Sequence, residues 1–409
     1  MNVLFLSYDG LTDPLGQSQI LPYLSGLSAK GAKIQIISFE KPERFEKHQS
    51  IIKKIIADNN LVWHPLQYTK RPPVLSTMYD IWKMKTLAQQ IITENNIQIL
   101  HCRSYLSAII GNWAKKKLGT KFIFDMRGFY ADERVEGKIW RLENPVYKSI
   151  YNFFKRKEKQ WLKECDQIIS LTFAGKKEML TWNLQIDESK INVIPCCVDI
   201  DFFDRKKVEN SARQQIRTEL NIAANDIVFI YTGGIGTWYC LDEMMQFFKV
   251  YQSKFTNSKF LILTTENPSV IFAAAAKNKV AKELLRVTES PRNRMPAYLT
   301  AADIALFFIL PSYSKTASSP TKQGEMMAMQ LPIVCNDNVG DTGFVIRKYN
   351  AGWVVENFSE VEFEKTITAI VANPISELET IRHGADEFYG LKNGVENYWN
   401  VYKKSLGQK

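Results

Sequence analysis

Short apolar stretches rich in β-branched and aromatic residues recur along the chain, each followed by a segment whose apolar positions have helical spacing. The first series comprises Val3 to Leu6, Ile34 to Ser38, Ile97 to His101, Lys121 to Asp125, Gln167 to Leu171 and Asn192 to Ile194. Strands buried on both faces give continuous runs of this kind, and alternation with helices makes a parallel sheet with crossover connections. A polar, charged stretch around Arg205 to Arg217 interrupts the pattern. A second series follows: Ile227 to Thr232, Phe260 to Thr264, Ile304 to Phe308, Pro332 to Cys335 and Gly352 to Val355. Two series predict two α/β domains, 1–206 and 207–390, with the boundary near Asp204 to Val208. Beyond them, Tyr398, Trp399, Val401 and Tyr402 fall on one amphipathic helical pattern from Val395 to Leu406.

A chain of 409 residues, 45% hydrophobic and 23% charged, is too long for one ordinary core and too apolar for disorder. No apolar run approaches the ~20 residues of a spanning helix. The segment Met1 to Ser7 lacks the basic region and long apolar core of a secretory signal, so a cytoplasmic location is expected. Cys102, Cys165, Cys196, Cys197, Cys240 and Cys335 form no regular framework, which suits buried thiols in a reducing compartment. No structural metal is expected. The formal net charge of +10 points to an anionic partner. Without a nucleic-acid recognition module, a phosphorylated substrate and an anionic lipid surface fit better than nucleic acid.

The densest chemistry lies between Ser318 and Val334. Ser319 suits a helix N-cap and Pro320 the first helical position, leaving the next backbone N–H groups free to meet a phosphate. At about 100° per residue, Thr321, Lys322, Glu325 and Ala328 share one side, with Gly324 allowing close approach. Lys322 can neutralise a diphosphate, and Glu325 can accept hydrogen bonds from two ribose hydroxyls. A solvated Lys/Glu pair on an ordinary helix is the plain alternative. The Pro-Thr-Lys, Gly-Glu, Ala-Met and Pro-Ile-Val segments here resemble the donor-site signature of glycosyltransferase family 4.

That resemblance implies the GT-B fold: two Rossmann-like domains with parallel sheets facing across a cleft, and a C-terminal helix, 391–409, returning to the first domain. It extends to other segments. The loop Tyr8 to Gln19 resembles the family's glycine loop, in which Gly16 and Gln17 would face the donor; a merely tight strand-to-helix turn is the alternative. The turn Tyr231 to Tyr239 would bring Gly233 and Gly234 near the diphosphate. Relatives carry an arginine and a lysine in that turn, whereas this chain has Gly234 and Tyr239. The first glutamate of the family's Glu-x7-Glu motif is Ala317 here. The segment Val193 to Asp199 resembles the end of the family's first domain, where a hinge turn makes Asp199 structural. In the loop Glu289 to Pro296, Arg292 or Arg294 could touch the donor, and Arg294 is the one assigned.

Asp125 to Arg134 carries three acids and two arginines, and the run Asp125 to Gly137 resembles a subset of bacterial polysaccharide glycosyltransferases. Arg127 stands about where relatives have a histidine. It could clamp a phosphate or a sugar carboxylate, or simply pair with Asp125 or Asp132. Asp125, Asp132 and Glu133 are assigned to the acceptor side, and Arg127, Lys322 and Glu325 to catalysis. The resemblance implies retaining, metal-independent transfer from a UDP- or GDP-linked sugar, used as co-substrate rather than cofactor. The acceptor would be a glycan, polyprenyl-diphosphate-linked, in surface polysaccharide or glycoconjugate assembly. Two aromatic and basic segments, Tyr68 to Leu75 and Tyr147 to Lys163, fit peripheral docking on the inner membrane face, although the second has the spacing of a core stripe. The missing Glu, Arg and Lys motivate an alternative: a catalytically weak GT-B protein acting as an assembly partner at the membrane.

Overall fold

In the computed structural model, which describes residues 1–408, the chain forms two units. The first takes Met1–Pro195 and the segment from Leu391 onward, and the second takes Cys196–Gly390. The chain leaves the first unit ahead of the expected boundary at 206. The reason is local: Val198 N–H bonds to Tyr389 O at 2.8 Å, and Arg382 donates to Ile200 O and Phe203 O, so residues 196–204 pack with the second unit's last helix. Of the expected C-terminal segment 391–409, residue Lys409 lies outside the described residues.

The first unit is built on a seven-stranded sheet of β1 (Asn2–Ser7), β2 (Lys33–Glu40), β3 (Val62–Gln67), β4 (Ile99–Arg103), β5 (Lys121–Asp125), β6 (Gln167–Ser170) and β7 (Ile191–Val193). Every pairing is parallel, in the order β3-β2-β1-β4-β5-β6-β7. Strand order therefore reverses between β1 and β4, where Ser7 lies beside Arg103. The second unit repeats the design with β8 (Ile227–Thr232), β9 (Ser258–Leu263), β10 (Leu285–Thr288), β11 (Ile304–Phe307), β12 (Ile333–Asn336) and β13 (Gly352–Val355). The order is β10-β9-β8-β11-β12-β13, again all parallel, with its reversal between β8 and β11. Open α/β sheets bind ligands beyond the carboxyl ends of their strands at such reversals. Both units are thus Rossmann-like.

Two strands, β3 and β10, are absent from the expected series, and both sit at sheet edges. Edge strands bury one side only; β3 also contains Pro65, which a central strand would not accept. The central strands β1, β4, β5, β8 and β11 are almost wholly buried and were the readable ones.

The helix Leu391–Ser405 packs in the first unit against the helix Leu21–Ala29. Gly26 permits the approach: a Cβ there would stand 2.6 Å from Val395 Cγ2. Tyr398 and Tyr402 of this C-terminal helix reach the sheet, where Tyr402 Oη lies 2.8 Å from His101 Nδ1 and Tyr398 donates to Asp125 Oδ2 at 3.1 Å.

Candidate functional site

In the second unit, β8 ends at Thr232 and Gly233 turns the chain with φ of 117°, a conformation that favours glycine. The turn doubles back to β11. Tyr239 bridges to Ile309, Cys240 N–H bonds to Phe308 O, and Leu310 N–H bonds to Trp238 O. The Gly233 N–H, expected at a diphosphate, instead donates to Leu263 O at 2.9 Å and closes the sheet end. Gly234 O accepts a 2.6 Å bond from the Tyr231 hydroxyl, which fixes that ring beside Tyr239.

The next strand end leads to the helix Thr321–Ala328. Pro320, in extended conformation, is its N-cap residue. Ser319 does not cap it; its Oγ accepts the Cys196 N–H at 3.1 Å. Gly324 lets the helix approach Tyr389 and Val198, whose atoms would meet a Cβ at 3.0–3.1 Å. Lys322 and Glu325 do not share one open face. Lys322 is 7% exposed and Ala328 is fully buried, while Thr321 and Glu325 are part-exposed. The Lys322 Nζ lies 4.0 Å from the centroid of Tyr231 and 3.8 Å from that of Tyr239, beside Gly233, with no hydrogen-bond acceptor. Burial holds this ammonium well below the usual lysine range, with Glu325 opposing the shift. Burial also pushes the Glu325 carboxyl up to about 7, against the pull of Arg292 and Lys322.

Arg292, not Arg294, is the arginine brought to Glu325. Its Nη1 is 3.6 Å from Glu325 Oε1, and its guanidinium covers Phe202 and Phe203. Arg294 turns away to Glu219 at 2.9 Å and stacks over Tyr298, because its place in the short turn Arg292–Arg294 faces the helix Ala212–Glu219. Ala317, where the family motif has its first glutamate, is buried.

In the first unit, the loop after β1 is occupied from within. Glu40, at the end of β2, accepts the backbone N–H groups of Leu11 and Thr12 at 2.8 and 3.0 Å. Gly16 lies in the short helix Pro14–Gln19 and is pressed against the loop: a Cβ there would stand 2.2 Å from Gly10 O. Its smallness thus serves packing. The Gln17 amide donates to Thr12 O at 3.1 Å.

The acids assigned to the acceptor side are mostly engaged. Asp125 is fully buried and held by Tyr398 and, at 3.4 Å, by His101. Burial works against its charge, but Arg127, His101 and Arg103 carry its pKa below the ordinary value. Desolvation keeps His101 below its own usual range. Asp132 bonds to Lys155 at 2.8 Å and to Tyr151 at 2.9 Å, which ties the helix Tyr130–Glu136 to the helix Pro145–Glu164. Glu133 is part-exposed on the first of these helices. Arg127 adopts φ of 57°, and its Nη1 is 4.0 Å from Asp125 Oδ1.

Two features of these strand ends had no signal in the sequence. Tyr231 and Tyr239 meet Lys322 only because the β8 turn folds back on β11. Arg103, the last residue of β4, is 3% exposed; its Nε has no hydrogen-bond partner and lies 3.6 Å from Asp9 Oδ2. Asp199, taken as structural, accepts the Phe202 N–H at 3.0 Å.

Residues 20–202 match the model of Glycosyltransferase Family 4, and residues 212–387 match that of Glycosyl transferases group 1. A comparison with curated protein sequences gave no match. Among solved structures, a glycosyltransferase from Rickettsia africae superposes with a TM-score of 0.72 at 16% identity, covering 100% of this chain and 99% of that one. A sucrose-phosphate synthase from Thermosynechococcus elongatus gives 0.72 at 13% identity, with the same coverage. Anabaena HepE, solved in complex with UDP and glucose, gives 0.70 at 10% identity, covering 98% and 99% of the two chains. At these identities the likeness is one of fold.

Proposed function

Since the chain belongs to glycosyltransferase family 4 and has its two-domain GT-B fold, we propose that it moves a sugar from a nucleotide-sugar donor to a glycan acceptor. The transfer is retaining, needs no metal, and uses a UDP- or GDP-linked sugar. The observation that carries this reading is the Lys322 ammonium, buried beside Gly233 without an acceptor. An unpaired buried cation is costly, and a diphosphate is the ligand that would repay it at the start of a helix. HepE, solved with UDP and glucose, supports the nucleotide class by fold analogy.

As the bond from the anomeric carbon to the diphosphate breaks, negative charge gathers on the leaving phosphate. Lys322 and the start of the helix Thr321–Ala328 oppose that charge from fixed positions, so no reorganisation is required. Glu325 as carboxylate accepts the ribose hydroxyls, and Arg292 steadies it and helps to ionise it. The departing phosphate takes the proton of the acceptor hydroxyl entering on the same face, which gives retention. Arg127 is assigned to the transferred sugar or its phosphate, on position alone.

We place the enzyme on the cytoplasmic face of a membrane, with a lipid-linked acceptor in polysaccharide or glycoconjugate assembly. No helix among the described residues is long and apolar enough to cross a membrane. The helix Leu75–Glu94 carries Leu75, Met78, Tyr79 and Trp82 exposed at helical spacing, just after the exposed Lys70 and Arg71. That combination suits an anionic interface.

The deciding experiment is calorimetric titration of UDP-, GDP- and dTDP-sugars into the native protein and the Lys322→Ala and Glu325→Ala variants. Selective binding of one donor, lost in both variants, is expected. The buried Ala317 in place of a glutamate favours the second reading, an assembly partner of little activity. That reading gains if the folded native protein binds no donor, or binds one regardless of Glu325.

A further inference from the structure

The end of β4 holds a charge that the donor-binding reading leaves unused. Arg103 carries a guanidinium cation and is 3% exposed. Among the described residues, its side chain donates no hydrogen bond, and Nε is buried with no partner. Its one ion pair is with Asp9, at 3.6 Å, too long for a hydrogen bond. Asp9 is itself 46% exposed at its side chain, so it cannot repay the desolvation of the arginine as a buried partner would. The neighbouring buried acid, Asp125, is opposite Arg103 in the β4/β5 register; its Oδ2 is taken by Tyr398 and His101, its Oδ1 has no hydrogen-bond partner, and it shares its charge between Arg103 and Arg127. Arg103 and Arg127 thus divide one buried carboxylate, and a buried cation left without a hydrogen bond destabilises a fold unless something else pairs with it.

Its location gives a reason to keep it. Arg103 lies beside Ser7 at the β1/β4 reversal, where a sheet of this topology binds its ligand. The helix Ser104–Leu118 starts at the next residue, with no side-chain cap and no acid in its first turn. Ser104 turns the chain there with φ of 67°, which a serine adopts only under constraint. Arg127, after β5, brings its Nη1 to 4.0 Å from Asp125 Oδ1. Two arginines therefore converge on one strand-end region.

We propose that Arg103 is the centre of an oxyanion site in the first unit, and that the occupant is the phosphate or diphosphate group of the acceptor. A phosphate offers several oxygens, enough to meet the planar guanidinium of Arg103 and a second donor together. The site stands on Arg103 alone; its assignment to the acceptor rests on the transferase reading above.

The test is calorimetric titration of the full chain with inorganic pyrophosphate, which can enter both units, and separately with UDP. In the Lys322→Ala background, pyrophosphate binding persists; adding Arg103→Gln weakens it roughly ten-fold or more, whereas Arg103→Lys restores part of it. UDP affinity changes little in Arg103→Gln and falls in Lys322→Ala. Asp9→Asn, which removes the competing carboxylate, tightens pyrophosphate binding and keeps the test open if Arg103→Gln does not fold. The proposal is overturned if pyrophosphate binding vanishes in Lys322→Ala, if it ignores Arg103→Gln in a folded protein, if it ignores Asp9→Asn, or if Arg103→Gln weakens UDP as much as Lys322→Ala does. Failure of the transferase reading looks different: sugar nucleotides would not bind, while the pyrophosphate titration would still report on Arg103.

Discussion

The Lys322 ammonium faces the ring of Tyr239 at 3.8 Å and that of Tyr231 at 4.0 Å. Aromatic faces attract a cation, but by about 2 kcal/mol even when dry, which does not offset the loss of water around an ammonium. Replacing the charge by an isosteric apolar group removes that cost. Lys322→Met is expected to raise the stability of the ligand-free protein by about 1–3 kcal/mol while abolishing the stabilisation that UDP gives the native protein. Denaturant unfolding with and without UDP checks both. A loss of stability in Lys322→Met would mean that the tyrosines alone satisfy the lysine.

Tyr239→Ala opens the same ammonium to water without removing it. The lysine then regains solvation and loses its fixed position. UDP-sugar affinity should fall by roughly ten-fold, and Tyr239→Phe should keep most of it, because the ring face is what touches Nζ. Titration of the two variants side by side decides this.

Glu325 gives a pH signature. Burial pushes its carboxyl up to about 7 in the folded protein, from an ordinary value of 4.5. Between those values the folded state holds more protons than the unfolded state, so stability falls as pH rises from 4.5 to 7 and levels off above. The drop attributable to this group is at most about 3 kcal/mol. Donor affinity should move the other way, rising from pH 6 to 8 as the ribose-binding carboxylate forms. In Glu325→Gln both slopes should flatten, as read by unfolding curves and titrations at matched pH.

Membrane docking is open to direct measurement. Co-sedimentation with vesicles containing anionic lipid should be strong at low salt, weak at high salt and absent with zwitterionic lipid alone. Trp82→Ser removes the large exposed ring that stacks with Tyr79 and should weaken binding roughly ten-fold or more. Binding indifferent to Trp82 would move the contact elsewhere or remove it.

At Gly26 the C-terminal helix lies close against its neighbour. Gly26→Ala should cost about 1–3 kcal/mol by forcing Val395 away, and adding Val395→Ala should recover part of that loss. Thermal unfolding of the two single variants and the double variant separates the steric term from helix propensity.

What could be read from the sequence was what depends on neighbours in the chain. Continuous apolar runs betrayed the central strands, and the order Pro320, Thr321, Lys322 announced a helix start within a residue of its position. Lys322 and Glu325 came from the same local pattern. Contacts between distant segments were not legible. Glu40 fills the loop of Leu11 and Thr12 from another strand. Arg292 and Arg294 differ by two positions in a short turn, yet one meets Glu325 and the other Glu219. Asp125 reads as a site carboxylate until Tyr398, from the far end of the chain, is seen to hold it. Arg103 looks like any strand-end arginine; only its burial without a hydrogen bond sets it apart.

The route of the chain has a consequence for its biosynthesis. Tyr398 and Tyr402 complete the packing around His101 and Asp125, but they follow the whole of the second unit in the sequence. During synthesis the first sheet therefore waits with an uncovered polar cluster while the second unit is made. A chain ending at residue 390 would keep the whole second unit and leave the first without the helix that covers His101 and Asp125, which proteases and chaperones could tell apart.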